Sequence, residues 1–313
     1  MPSVSVVVPV FGDGAGLEEL CRRIVQLFAS RDDDWELILV NDGSPSRTWE
    51  TIVALSRTDA RVRGLDLTRN FGQQNALLAG IRAASGEVVV TMDDDLQHPP
   101  EAIPQLVSAL GEADLVYGTP TDRVRGVGRN LAASLSKAAI AIALGTAHAR
   151  SIGAFRAFRG SLRDVFLAYD GPYVSVDVLL SWATTRIASV PVRYEPRRHG
   201  RSGYRLWPLL TLTVNMVTGF SVWPLRVASI VGLLFSAFGG LVLAFVLLRY
   251  IVSGVTVPGF AFLASVIAIF SGAQLFSLGV MGEYLARMYF RTMDRPPYLI
   301  RSAVNVGVQG RVA

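Results

Sequence analysis

The chain has 313 residues, 51% of them hydrophobic, with a formal net charge of +5. A single cysteine, Cys21, excludes a disulfide framework and a thiolate metal cluster and fits a reducing compartment. Charge is unevenly spread, with net −9 over residues 1–121, +10 over 122–226 and +4 over 227–313, so an acidic part that calls for a cation stands beside a basic part able to hold anions.

Residues 4–10 are mostly valine, the pattern of a strand buried on both faces, and the start of the chain lacks the charged region and cleavage site of a signal peptide. Phe11-Gly12-Asp13-Gly14 turns the chain, and Leu17, Leu20, Ile24, Leu27 and Phe28 recur at helical spacing over 16–29. Trp35 to Val40 reads as a second strand that ends in Asn41-Asp42-Gly43-Ser44. A helix is expected over about 46–55, a strand over 62–67 and a helix over 73–84. Gly72 opens that last helix, whose N-terminus offers free N–H groups to an anion or nucleobase, and Gly80 suits close helix packing. A β-branched run from Glu87 then leads into Asp93-Asp94-Asp95-Leu96-Gln97-His98, and Pro99-Pro100-Glu101 starts a helix.

Strands alternating with helices imply a parallel sheet with right-handed crossovers, a nucleotide-binding α/β domain. In such sheets ligands bind beyond the carboxyl ends of the strands. Asp13, Asp42 and Asp93 all follow strands at that edge. On extended backbone alternate side chains point the same way, so Asp93 and Asp95 converge on one hard cation while Asp94 faces elsewhere. Such a cation bridges the diphosphate of a nucleotide. N-caps and Asx-turns are the ordinary work of a lone Asp at these positions; three acids at one edge favour a ligand site.

The basic part follows. Residues 119–130 have no hydrophobic period and three arginines, a loop in which Arg125 and Arg129 are candidates for a phosphate and Arg123 is a solvated side chain. Residues 131–145 form an Ala-rich helix, suited to a core or to the membrane interface. A strand from about 186 leads to a dense basic turn containing Arg198, Arg201 and Ser202, which suits a phosphate contact or a lipid-headgroup patch. A nucleic-acid face is the other use for such charge, but the arginines abut apolar segments and no nucleic-acid-binding motif occurs. His199 reads as a loop histidine, and His98 and His148 show no metal-ligand spacing. Residues 206–225, with Trp207 and Trp223, suit interfacial amphipathic helices.

Val227 to Leu248 is uncharged and would be ~33 Å long as a helix, enough to span a bilayer. Gly259 to Gly282 is a second uncharged stretch. Arg226 precedes the pair and Arg287, Arg291, Arg295 and Arg301 follow it, so the positive-inside rule places both ends in the cytoplasm. The expected division is a catalytic domain over 1–203, interfacial helices over 204–226, a transmembrane hairpin over 227–282 and a cytoplasmic tail over 283–313.

Asp93-Asp94-Asp95-Leu96-Gln97-His98-Pro99-Pro100-Glu101 resembles the D-x-D-L-Q-x-P-P-E signature of family 2 glycosyltransferases of the polyprenyl-phosphate type. Pro9-Val-Phe-Gly-Asp13 resembles the family's Pro-x-Tyr-Asn-Glu segment, and Asn41-Asp42-Gly43-Ser44 its Asp-Asp-Gly-Ser. Arg69-Asn70-Phe71-Gly72 resembles another family stretch, with Gln73 where Lys is common. Arg197-Arg198-His199-Gly200-Arg201-Ser202 resembles Arg-x-x-Gly-x-Ser, with Gly203 where Lys is common. The tail, Gly282 to Arg287 and Arg295 to Tyr298, resembles bacterial members. The resemblance implies a GT-A-like fold, a parallel or mixed sheet with helices on both faces. It implies Pro9, Asp13, Asp42, Arg69, Gln73, Asp94 and Asp95 as nucleotide-sugar contacts, and Mg2+ or Mn2+ held by Asp93, Asp95 and Gln97. Asp93, Asp95 and Arg129 are the implied catalytic residues, and Arg125, Arg129, Arg198, Arg201 and Ser202 the contacts to the acceptor phosphate.

Ser151-Ile-Gly-Ala154-Phe155-Arg156 resembles the family's Asp-x-Gly-Asp-Phe-Arg, but both Asp positions are replaced. A phosphate acceptor tolerates this, because its second pKa of about 6 leaves it largely dianionic at neutral pH, whereas an alcohol acceptor needs a base. The expected activity is inverting transfer of a sugar, from a UDP-sugar in preference to a GDP-sugar, to a polyprenyl phosphate at the inner membrane. A polysaccharide synthase, a degenerate transferase-like scaffold and a subunit of a larger assembly, including a homo-oligomer packed through Gly232, Gly239 and Gly240, are the alternatives.

Overall fold

The computed structural model describes residues 3–29, 31, 34–45, 47–121, 152–171, 174–195, 222–253, 259–293 and 295–306. These fall into two compact units, one from residues 1–209 and 294–313 and the other from residues 210–293.

The first unit is built on an eight-stranded sheet of β1 (Val4–Val10), β2 (Trp35–Asn41), β3 (Val62–Leu67), β4 (Val88–Thr91), β5 (Leu115–Pro120), β6 (Arg156–Arg159), β7 (Ile187–Val192) and β8 (Ile300–Val304). Their order is β7-β5-β6-β4-β1-β2-β3-β8. β1 pairs in parallel with both β2 and β4, so the winding reverses direction beside β1 and leaves a crevice at the carboxyl ends of the central strands. The sheet is mixed: β6 runs antiparallel to β4 and β5, and β8 antiparallel to β3.

The period of two along these apolar strands divides them between two cores. Val4, Val6, Val8 and Val10 pack on one face with Leu37, Leu39, Val88 and Val90, against Leu17, Leu20, Ile24 and Phe28 of α1 (Leu17–Ala29). Ile52 of α2 (Thr48–Thr58) and Ile103 and Leu106 of α4 (Ile103–Ser108) join that face. Val7, Ile38, Val40 and Val89 point the other way, against α3 (Gln73–Ala83), Phe166 of α5 (Arg163–Leu167) and Leu179 of α6 (Val176–Ala183). A Cβ on Gly80 of α3 would lie 2.4 Å from Val7 Cγ1, so glycine sets how closely this helix approaches the sheet. Pro100 opens a 3-10 turn, Pro100–Ala102, before α4 begins.

Residues 300–304 belong to the stretch expected to be only a tail, yet they form the edge strand β8. Arg301 Nη2 donates to the Thr68 carbonyl at 2.5 Å, and its Nη1 lies 3.4 Å from the buried Asp66 carboxylate. Asn305 Nδ2 donates to the carbonyls of Ser56 and Val62. Covering β3 in this way protects an otherwise open sheet edge.

The second unit holds α7 (Trp223–Ser253) and α8 (Phe260–Thr292). Trp223–Val252 is long and apolar enough to cross a membrane, and Leu233, Leu234, Leu241 and Leu248 on it are exposed. Phe235 and Phe270 meet edge to face at 5.7 Å. Gly239 receives Phe270, whose Cζ would lie 2.8 Å from an added Cβ, whereas Gly232 and Gly240 have open space there. The 131–145 helix and the interfacial segment up to residue 221 lie outside the described residues.

Candidate functional site

A cleft of about 400 Å³ opens at the carboxyl edge of β1 to β4 and is lined by residues from the four connections that follow these strands, among them Pro9, Phe11, Asp13, Asp42, Asn70, Gln73, Asp93, Asp94 and Asp95. The register explains the meeting: Val10 pairs with Asn41 and Val7 with Thr91, so the segments after β1, β2 and β4 all leave from one edge. Of the expected donor-site residues, Pro9, Asp13, Asp42, Gln73 and the three consecutive acids line this cleft. Arg69 and Gln97 are not among its lining residues; Arg69 places its guanidinium 4.3 Å from the centre of the Phe71 ring. Arg125, Arg129, Arg198, Arg201 and Ser202 lie outside the described residues.

Asp42 is 2% exposed. One carboxylate oxygen accepts the Phe71 N–H at 2.7 Å and the other the Gly72 N–H at 2.9 Å. Burial nevertheless raises its pKa above the ordinary value. The side chain therefore fastens the end of β2 to the loop before α3 and forms part of the cleft floor. Gly43 makes that closeness possible. Its φ is +63° and a Cβ would lie 2.3 Å from the Arg69 carbonyl carbon, so Gly43→Ala has neither a favoured conformation nor room. We expect it to destabilise the first unit by about 2 kcal/mol or more, lowering the thermal midpoint by about 4–8 °C; an unchanged midpoint would contradict this packing.

Asp13 is exposed, and its Oδ1 accepts the Ala15 N–H at 3.3 Å in an Asx-turn. Gln73, in the first turn of α3, donates from Nε2 to Asp93 Oδ1 at 2.6 Å. Asp95 Oδ1 accepts the Gln97 N–H at 3.1 Å. Asp94, between the two, is pushed up to about 7 by burial and then by the charges of Asp93 and Asp95. Its contact with the Phe11 N–H opposes that rise only in part. A cation here would relieve this crowding of negative charge. Among the described residues no three His, Cys, Asp or Glu side chains form a metal cage. One or two carboxylates with open coordination positions are what Mg2+ or Mn2+ takes when substrate phosphates complete its shell, so the donor set fits such an ion.

Two contributors escaped the sequence reading. Phe11, in the stretch that resembles Pro-x-Tyr-Asn-Glu but not among the expected contacts, is 57% exposed at the cleft, an aromatic face in water beside Asp13. The other is His98, 5% exposed, whose Nδ1 accepts the Asp93 N–H at 3.1 Å. Burial lowers its pKa, in keeping with a neutral imidazole whose Nδ1 is an acceptor. No spacing of side chains could reveal this contact, because its partner is main chain. Between Asp93 and His98, Leu96 sits at φ +61° with its side chain buried, a left-handed conformation that costs about 1–2 kcal/mol for a non-glycine residue. Burial of Leu96 in the core beside α1 and α4 offsets that cost.

Beneath β4 lies a buried polar network. Arg156 is 1% exposed; its Nε donates to Thr91 Oγ1 at 3.0 Å and its Nη1 to Asp177 Oδ1. Tyr117 Oη donates to the same Asp177 oxygen at 2.9 Å, and Thr91 Oγ1 donates to the Ala154 carbonyl. Thr91 is two residues ahead of Asp93, so the network holds the strand end that delivers the acids.

Residues 5–166 match glycosyl transferase family 2. An undecaprenyl-phosphate 4-deoxy-4-formamido-L-arabinose transferase of Edwardsiella ictaluri (strain 93-146) is 34% identical over 306 residues, 96% of this chain and 94% of that one. A protein of the same name from Proteus mirabilis (strain HI4320) is 32% identical over 311 residues, 97% of this chain and 94% of that one. Among solved structures, glucosyl-3-phosphoglycerate synthase from Mycobacterium tuberculosis, in complex with Mn2+, uridine diphosphate and phosphoglyceric acid, superposes with a TM-score of 0.50 at 20% identity. That match covers 69% of this chain and 76% of that one, and it is a likeness of fold.

Proposed function

The chain belongs to glycosyl transferase family 2, and from that premise we propose that it moves a sugar from a nucleotide donor, a UDP-sugar, to undecaprenyl phosphate at a membrane surface. The observation that carries this reading is the meeting of Asp13, Asp42, Gln73 and Asp93–Asp95 in one cleft at the carboxyl edge of parallel strands. The nucleoside lies between Phe11, whose ring face suits base stacking, and the segment fastened by Asp42. The diphosphate lies toward Asp93 and Asp95. Mg2+ or Mn2+, when bound by these two carboxylates, supplies positive charge to the departing diphosphate.

The acceptor is a phosphate monoester, largely dianionic at neutral pH, so a missing carboxylate at Ala154 does not deprive it of a needed base. Its oxygen forms the bond to the anomeric carbon as the bond to the diphosphate oxygen breaks, and attack from the opposite face inverts the configuration. Arg125, Arg129, Arg198, Arg201 and Ser202 are the residues proposed to hold the acceptor phosphate. The apolar length of α7 and the uncharged stretch from Phe260 to Gly282 in α8 support a hairpin of two spans, with the catalytic unit and both ends cytoplasmic.

The relatives' names support a 4-deoxy-4-formamido-L-arabinose donor as the first sugar to try. Purified chain incubated with undecaprenyl phosphate, Mg2+ and a panel of nucleotide sugars is expected to form a lipid-phosphate-sugar from a UDP-linked member. Nucleotide binding without product from any donor would favour the degenerate scaffold instead.

A further inference from the structure

We propose that His98 is a positioning residue of the donor site: its imidazole closes the Asp93–His98 loop and thereby sets the direction in which Asp93 and Asp95 present their carboxylates. The role assigned rests on the donor-site reading above; the geometry behind it does not. Nδ1 of His98 accepts the Asp93 N–H at 3.1 Å, joining the two ends of a six-residue loop. Within that loop Asp95 Oδ1 accepts the Gln97 N–H, and Leu96 holds its left-handed conformation. Such a loop does not keep its shape by local preference, and a tie across its ends is what selects one arrangement of the acids.

The imidazole is itself held by two other stretches of chain. Phe155, just before β6, stacks on it with ring centres 5.2 Å apart and planes at 15°. Tyr194, just after β7, meets it edge-on at 4.9 Å and 82°, while the Tyr194 hydroxyl donates to the Gly118 carbonyl. The next residue, Glu195, donates its N–H to the Gln97 carbonyl at 2.9 Å and takes an ion pair from Arg23 of α1. The ring is thus fixed by packing, and its nitrogen fixes the loop. Outer contacts of this kind, which orient a metal-binding carboxylate without touching the ion, change metal affinity by about 10–100-fold when removed.

Packing and hydrogen bonding are separable by two substitutions. His98→Phe keeps the ring between Phe155 and Tyr194 but has no acceptor; His98→Asn gives up the ring and keeps an acceptor near the place of Nδ1. UDP binding to the full chain in detergent is measured by calorimetry with and without Mn2+, and hydrogen exchange is followed across residues 92–98. The Phe variant is expected to lose about tenfold of the Mn2+-dependent gain in UDP affinity, with metal-free affinity within about twofold of wild type. It should also exchange faster in the loop. The Asn variant is expected to keep the gain to within about threefold and to retain loop protection. A Phe variant with full gain and unchanged exchange, beside an impaired Asn variant, would overturn the proposal and leave His98 as a packed ring. If wild-type UDP affinity ignores Mn2+, the donor-site reading fails and takes the assigned role with it, whatever the exchange data show. Should His98→Phe not fold, His98→Leu, which also lacks an acceptor, carries the same comparison.

Discussion

Asp93→Asn and Asp95→Asn are each expected to lower sugar transfer by at least about 10³-fold while leaving the fold and membrane association intact. The amide keeps the shape of the carboxylate and an oxygen that can still accept, so the Gln73 contact to residue 93 and the Gln97 N–H contact to residue 95 both survive. What is lost is charge. Three successive acids in one cleft repel each other, as the rise of Asp94 to about 7 by burial and by its two neighbours indicates, so removing one charge is expected to leave the unfolding midpoint unchanged or raise it. Activity and stability moving in opposite directions is the mark of a site held under electrostatic strain for function. Normal turnover by either variant, or a marked fall in midpoint, would contradict the role given to these carboxylates.

Asp177→Ala is expected to be the most damaging single change to stability outside the apolar core. It would leave Arg156, 1% exposed, with a buried guanidinium charge facing the uncharged hydroxyls of Thr91 and Tyr117, and Tyr117 without its acceptor. Removing one member of a buried pair costs about 3–5 kcal/mol, because the other charge stays desolvated, a fall in midpoint of about 10 °C for a unit of this size. Replacing the set together, Arg156→Met with Asp177→Leu and Tyr117→Phe, is expected to recover much of that loss, since no buried charge then remains. Thermal unfolding of the single and triple variants distinguishes the cases. A single variant within about 2 °C of wild type would show that Arg156 finds solvent or another partner.

How far the sequence foretold this structure depended on where each residue's partners lay. β1 and β4 were legible because strands buried on both faces are written as mostly apolar runs, and β2 and β3, interrupted by Glu36, Arg63 and Asp66, by their place between helical patterns; all four match their expected positions to within a few residues. The meeting of Asp13, Asp42 and Asp93 followed from strand ends alone. β6 was not legible: Arg156-Ala-Phe-Arg159 begins with an arginine that is buried because Asp177, on a different element, neutralises it. Nor was β8, which is short, half-exposed and paired with β3 across more than 230 residues of sequence. Asp42 was read as a nucleotide contact and lines the cleft, but both its oxygens are engaged by main-chain N–H groups, which no side-chain motif announces. The same holds for His98.

The most direct test is a structure of the chain with UDP and Mn2+ bound. An ion is expected between the Asp93 and Asp95 carboxylates and the UDP pyrophosphate, with the uracil beside Phe11. Nucleotide bound with those carboxylates turned away, or with no ion between them and the phosphates, would contradict this reading.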